Sequence, residues 1–299
     1  MQTVTTAGAP PSWRSTLSAY VNLMKPHVTI LLLGTTLAAM VVAQGSMPGW
    51  GLTLATLLGG AMAAGSANAI NCYWDRDIDQ IMSRTKKRAL PARRVPETHA
   101  LLFGLLLGVG SFVILFRFVN LLSALLAVGA ILFYVLVYTM WLKRTTPQNI
   151  VIGGAAGAMP VLVGWAAVTN SVGIAALWMF LVIFLWTPPH FWALSLLLKQ
   201  DYARANVPMM PVVLGERETY RQIVLYTLLL LAASLMLFAT RAMGGFYLVS
   251  ATLLGLGLLV LAVLVGWKKT LKSARTMFWF SNYYLALIFA AMVIDRVVR

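Results

Sequence analysis

Asn71, Asp75 and Asp79 occupy positions i, i+4 and i+8 of the stretch "NCYWDRDID". At about 100° per residue each step of four drifts by only about 40°, so a helix through this stretch carries all three oxygen side chains on one face. Asp77 points about 160° from the middle of that face and reads as a solvated or capping residue. A charged side chain costs about 2.5–3.5 kcal/mol at mid-bilayer and less near the interface, and neighbouring carboxylates also repel one another. A divalent cation removes that repulsion. Few ligands, all of them oxygens, favour Mg²⁺, which keeps several waters and binds substrate phosphates. The one cysteine, Cys72, excludes an intrachain disulfide and a cysteine-built metal site, and reads as a packing residue.

Asp201 is the expected carboxylate ligand from a second polar stretch. Arg84, Lys86, Lys87 and Arg88 follow the first acidic stretch, and Lys199 sits beside Asp201. Guanidinium and ammonium groups suit phosphate oxygens, although basic residues at such places also set membrane topology. Arg84, Lys86, Arg88 and Lys199 are the expected diphosphate contacts. A metal, a diphosphate and an apolar interior together point to a prenyl diphosphate, with its head group at the mouth and its tail among helices.

These residues must be positioned by membrane helices. Of 299 residues 60% are hydrophobic and 10% charged, whereas soluble domains carry roughly 25% charged residues. Nine apolar segments near the ~20 residues needed to cross a bilayer can be drawn: 28–47, 51–73, 99–116, 120–142, 150–169, 174–198, 222–240, 246–267 and 277–294. The fold class is an all-α polytopic membrane protein. Residues 1–27 read as a cytoplasmic and interfacial segment, with an interfacial stretch around Trp13 to Met24, and resemble neither a signal peptide nor a transit peptide. Residues 28–299 read as one transmembrane domain, whose long loops 74–98 and 199–221 form the active-site mouth.

The net charge of +15 does not indicate nucleic acid. All of the 23 basic residues except Arg117, Arg241, Arg296 and Arg299 fall on one side of the nine spans. By the positive-inside rule that side is cytoplasmic, with the N-terminus inside and the C-terminus outside. Of the eight acidic residues only Asp295 lies outside the two long loops. Topology does not require acids there, so their gathering at one mouth asks for chemistry.

"NCYWDRDID" resembles the Asn/Asp-rich first motif of the UbiA-type intramembrane prenyltransferases. "MKPHVT", "YTMWLKRTTPQNIVIGGAAGAMPVLVGWAA" and "TPPHFWALSLLLKQDYARANVPMMPVV" extend the likeness over most of residues 20 to 295. The last stretch is similar to the heme-farnesylating members. The resemblance implies nine helices around a central cavity, Mg²⁺, farnesyl diphosphate as donor and heme b as acceptor, in the inner membrane of a bacterium. The product would be heme O, and a downstream heme A synthase is the protein partner it suggests. It carries metal-ligand and catalytic roles onto Asn71, Asp75, Asp79 and Asp201. Aromatic-acceptor members have a second Asp four residues after that last position, where this chain has Ala205.

In that chemistry an allylic cation is attacked by a heme vinyl group and water captures the resulting cation. Tyr134, Tyr138, Trp141, Phe191 and Trp192 are candidate aromatic faces for the cation. Among His27, His99 and His190, the last follows Pro188 and Pro189, which can open a helix where it lines a cavity, and is the expected heme contact. The glycines of "IGGAAGAMP" lack the phosphate-loop lysine pattern and suit close helix contact. Two alternatives stand beside this reading: an aromatic-acceptor prenyltransferase, and a transporter. Ala205 weighs against the first. The second expects acids near the midplane.

Overall fold

A computed structural model describes residues 13–299, and these are almost wholly helical. The first twelve residues of the expected 1–27 segment lie outside the described residues. Helix α1 (Trp13–Leu23) precedes the first span, α2 (Pro26–Gln44). The second span, α3 (Trp50–Trp74), runs into the short α4 (Arg76–Ile81), and α5 (Glu97–Phe118) is the third. The fourth is composite: α6 (Leu121–Leu132), a π-helical segment Phe133–Leu142, and a final turn, α7 (Lys143–Thr145). Then come α8 (Asn149–Thr169), α9 (Ile174–Leu197), the short α10 (Lys199–Arg204) and α11 (Met210–Val213), and three last spans, α12 (Gly215–Ala239), α13 (Gly245–Lys268) and α14 (Leu271–Val298). Among the described residues nine helices are long and apolar enough to cross a membrane. That number is odd, so the start of α2 and the end of α14 stand on opposite faces.

Span edges agree with the sequence reading to within a few residues except at two starts on the face that carries the acidic loops. The seventh helix begins at Gly215, not 222, and the ninth at Leu271, not 277. The added turns are polar, so hydropathy does not register them. In α12 they are held by Lys199–Glu216 (2.8 Å) and Arg221–Glu218 (3.1 Å) ion pairs. The expected loop 199–221 is therefore largely helical. Helix α9 also corrects an expectation: it runs unbroken through Pro188 and Pro189.

Small residues let the helices approach. Two α3–α5 contacts set a glycine against a large side chain: a Cβ on Gly59 would lie 2.6 Å from Leu115 Cγ, and one on Gly104 2.7 Å from Ile70 Cγ1. Ser111 Oγ donates to the Gly59 carbonyl at 2.7 Å across the same seam. Helix α2 meets α8 at Gly164, whose added Cβ would lie 2.3 Å from the Thr36 carbonyl oxygen. The "IGGAAGAMP" glycines act alike: Gly153 faces the Tyr138 ring and Gly154 faces Thr187. Helix α14 packs on α2, α9 and α13. Large apolar side chains such as Leu106, Val109 and Leu253 cover the outside, as a lipid-facing surface requires. At the face opposite the acidic loops, Asp295 accepts from the Gly244 (2.6 Å) and Tyr247 (3.1 Å) amides at the start of α13. A carboxylate on those free amides is a structural cap, which accounts for this one outlying acid.

Gly164→Ala should force α2 from α8 and lower stability by about 1–3 kcal/mol. Gly129→Ala, with nothing within 4 Å of the added carbon, should cause no loss. Thermal unfolding of both variants in detergent checks the pair.

Candidate active site

The acidic face is built at the junction of α3 and α4. Asp75 links the two helices, and its amide bonds to the Asn71 carbonyl (2.9 Å) while the Asp79 amide bonds to the Asp75 carbonyl (2.8 Å). The i→i+4 ladder thus continues across the junction, and side chains four apart stay on one side. Asn71, Asp75 and Asp79 are 3%, 1% and 2% exposed. The Asp77 side chain, facing away, is 60% exposed.

Each buried oxygen group has a cationic neighbour. Lys143 Nζ makes a short ion pair with Asp75 Oδ2. Asn71 Nδ2 donates to that same oxygen at 2.7 Å and to Thr139 Oγ1 at 3.1 Å. Lys25 Nζ donates to Asn71 Oδ1 at 2.7 Å. Burial pulls the Lys25 ammonium below its usual pKa, with Asp79 and Asp75 opposing. Arg88 Nη1 donates to both oxygens of Asp79, at 3.0 and 2.9 Å. Arg144 grips Asp77 at 2.7 and 2.8 Å, and these bonds hold the Asp77 carboxyl down at about 2. Asp75 Oδ1 is buried and accepts no hydrogen bond; Arg144 Nη2 stands 3.6 Å from it.

Asp201 comes from the other half of the chain. It is 5% exposed and accepts from Ser83 Oγ at 2.6 Å and from Arg204. The Ser83 bond, then Arg204, holds its carboxyl below the usual range. Ser83 belongs to the 74–98 loop, so this bond ties the two acidic loops together. Ala205 packs into an apolar cluster with Ile78, Met82 and Tyr202. Of the expected diphosphate residues only Arg88 stands on a buried carboxylate. Lys199 turns to Glu216, Arg84 interacts with Tyr202, and Arg84 and Lys86 are exposed. Among the described residues no three His, Cys, Asp or Glu side chains gather as a ready metal cage. Asn71 and Asp75 touch; Asp79 and Asp201 each sit in an ion pair of their own.

An apolar cavity of about 160 Å³ lies between α2, α3, α6 and α8, lined by Leu32, Ala63, Ile131, Tyr134, Gly157 and Asn68 among others. Asn68 stands one turn before Asn71 on α3, so the cavity begins where the polar cluster ends. Of the five candidate aromatic rings only Tyr134 lines it. The Tyr138 ring lies tilted against Tyr134 at 5.3 Å, Phe191 pairs with Tyr202, Trp141 is 61% exposed, and Trp192 is fully buried.

His190 sits between the Trp186 ring (4.2 Å) and the Phe278 ring (4.8 Å). Its Nδ1 lies 2.7 Å from Ser281 Oγ, and Ser281 Oγ donates its own proton to the Phe278 carbonyl at 2.7 Å. A hydroxyl has one proton, so with that proton on the carbonyl Nδ1 is the donor to Oγ. The neutral imidazole is then the Nδ1–H tautomer, and Nε2 carries the lone pair. His27 is exposed, and His99 lies 3.4 Å from the Tyr20 hydroxyl.

Lys25, Thr139, Lys143, Arg144, Ser83 and Ser281 escaped the sequence reading as site residues. For the first and for the Lys143–Arg144 pair a signal existed, because both lie in the stretches "MKPHVT" and "YTMWLKRTTPQN" and were counted only as topology determinants. Thr139 depends on the π-helical register and Ser281 on α14 packing, neither of which leaves a mark in composition.

The UbiA prenyltransferase family profile matches residues 32–288. A "Protoheme IX farnesyltransferase" of Gloeobacter violaceus is 51% identical over 288 residues, covering 96% of this chain and 94% of that protein. One of Symbiobacterium thermophilum is 53% identical, covering 92% and 93%. One of Roseiflexus castenholzii is 49% identical over 95% of this chain, which spans only 53% of that protein's length. Among solved structures, digeranylgeranylglyceryl phosphate synthase superposes with a TM-score of 0.79 at 17% identity, covering 95% of this chain and 99% of that one. A UbiA homolog of Archaeoglobus fulgidus bound to GPP and Mg²⁺ gives 0.66 at 15% identity, covering 92% and 99%. These two show the fold.

Removing one member of a buried ion pair strands the other charge, at a cost of about 3–5 kcal/mol. Lys143→Met should therefore lower thermal stability, and adding Asp75→Asn should recover much of the loss. Melting curves of the single and double variants read this coupling directly.

Proposed function

The chain belongs to the UbiA prenyltransferase family, and we propose that it transfers the farnesyl group of farnesyl diphosphate to a vinyl group of heme b. Water adds in the same reaction, giving heme O and diphosphate. The observation that carries the chemistry is a buried, unpartnered Asp75 oxygen, ringed by cations, at the head of an apolar cavity. The acceptor rests on near-full-length relatives named for farnesyl transfer to protoheme IX.

The donor set fits Mg²⁺. Asp75 Oδ1 lacks any hydrogen-bond partner, and Asn71 and Asp79 add only oxygen ligands beside it. Asn71, Asp75 and Asp79, with Asp201 from the second half, would hold the metal. When bound, it neutralises charge on the leaving diphosphate. Lys25, Lys143, Arg144 and Arg88 stand within reach of these groups. Once the carboxylates are otherwise neutralised, these cations are free to take up phosphate oxygens.

The allylic C–O bond breaks with its electron pair going to diphosphate oxygen. The chain's cations favour this by stabilising the charge that develops there. The vinyl π pair of heme then forms the new C–C bond, moving positive charge to the carbon beside the porphyrin. Water adds at that carbon and loses a proton. The cavity walls keep the farnesyl cation from water until the vinyl group has reacted. Tyr134, whose ring lines the cavity, offers the cation an aromatic face.

We assign His190 to the heme. The lone pair on Nε2, fixed there by Ser281, is available to iron. Residues 28–299 act as one transmembrane domain in the bacterial inner membrane, with the mouth and N-terminus cytoplasmic and the C-terminus outside. Supporting that orientation is the basic-residue pattern. Heme O would pass to a downstream heme A synthase.

Purified protein given farnesyl diphosphate, Mg²⁺ and either heme b or an aromatic acid should farnesylate only heme. Asp75→Asn should lower that rate by about 100-fold or more, and unchanged turnover would refute the site. Titrated with ferric heme b, the protein should show an imidazole-ligated spectrum that His190→Ala abolishes and Ser281→Ala weakens. A spectrum indifferent to His190 would remove it from the heme site.

A further inference from the structure

Asp77 is the one carboxylate of "DRDID" that the buried face leaves out. Its side chain is 60% exposed, yet both its oxygens are held: Arg144 Nη1 donates to Oδ2 at 2.7 Å and Nη2 to Oδ1 at 2.8 Å. This is the two-pronged geometry that makes Arg–carboxylate pairs strong and directional. Arg144 Nη2 also donates to the Trp74 carbonyl at 3.1 Å, so the guanidinium is fixed at three points. The same Nη2 stands 3.6 Å from Asp75 Oδ1, too far for a hydrogen bond. That oxygen, on a residue 1% exposed, accepts no hydrogen bond at all.

A buried carboxylate oxygen and a guanidinium this close attract each other, but two charge-assisted bonds to Asp77 and one to the Trp74 carbonyl hold Arg144 against a 3.6 Å contact that makes no hydrogen bond. They stay apart because Arg144 is already held elsewhere. We infer that Asp77 is a positioning residue that draws Arg144 off Asp75, so that Oδ1 remains open to a divalent cation. This rests on the cation reading of the site given above. With Arg144 released, both oxygens of Asp75 would be covered, Oδ2 by Lys143 and Oδ1 by Arg144, and an arriving cation would have to displace two partners in place of one. Asp77 suits the task because it is exposed: its charge is solvated and costs little to keep.

The test is Mn²⁺ binding to the purified protein, read from the EPR signal of free Mn²⁺ without substrate or turnover. It is run in 1 M KCl, where the screening length falls to about 3 Å and the exposed Asp77 charge no longer acts at a distance. Asp77→Asn should raise the Mn²⁺ Kd about tenfold or more, as loss of a partner that orients a ligand does. Arg144→Gln should bind as tightly as the unaltered protein or more so, and Asp77→Asn with Arg144→Gln should restore binding. If Asp77→Asn binds normally, or if Arg144→Gln weakens binding as much as Asp77→Asn, the positioning role is overturned; the second result would mean that the pair only braces α4 against α7. Asp75→Asn separates the two levels. If it binds Mn²⁺ as the unaltered protein does, or if the unaltered protein binds none, the cation reading itself fails and this inference with it.

Discussion

A carboxylate taken out of water must be answered by charge, and the mouth of this bundle is arranged around that demand at Asp75. The residue is 1% exposed, and the groups that answer it come from separated parts of the chain: Asn71 from its own helix, and Lys143 and Arg144 from the fourth span. Lys25, just before the first span, is tied in through Asn71. Three spans are thereby fastened at one end by polar contacts inside an otherwise apolar assembly. The π-helical segment belongs to the same constraint. Its i→i+5 bonding, seen where the Lys143 amide reaches the Tyr138 carbonyl, places Thr139 and Lys143 on Asn71 and Asp75 while Tyr134 lines the cavity. Such segments tend to occur at functional sites.

Charge at one end and a mainly apolar cavity at the other suit a reaction that must separate charge and then shelter a cation. The ion pairs at the charged end are buried and therefore poorly screened. The cavity contributes small apolar side chains and one ring, so it offers water little to bind. Buried Lys–Asp and Arg–Asp pairs are also a resting arrangement, in which the chain neutralises its own carboxylates. On the proposed function, substrate loading is an exchange of partners, with cations passing from carboxylate to phosphate.

The nine spans were legible because hydropathy reports lipid contact, and the shared face of Asn71, Asp75 and Asp79 was legible because the helical ladder survives the α3–α4 junction. The starts of α12 and α14 were not, since polar turns leaving a membrane look like loop. The cations that stand beside the buried acids were only partly legible, for a related reason. Composition shows that Arg84, Lys86 and Lys199 are near in sequence, but side-chain direction decides, and it sends Lys199 to Glu216 and leaves Arg84 and Lys86 exposed. Lys25 and Lys143 reach the acids from spans distant in sequence, a contact that only packing establishes. Pro188 and Pro189 suggested a broken helix, yet α9 continues through them, because neighbouring helices can support a backbone that has lost bonds.

The most direct test is a structure with farnesyl thiodiphosphate and Mn²⁺, the cation being located by its anomalous scattering. The account predicts a cation about 2.1 Å from Asp75 oxygen, with Lys143 moved from the carboxylate to the thiodiphosphate and the prenyl chain in the cavity beside Tyr134. A complex in which Lys143 remains on Asp75, no cation stands at that residue and the thiodiphosphate binds elsewhere would contradict it.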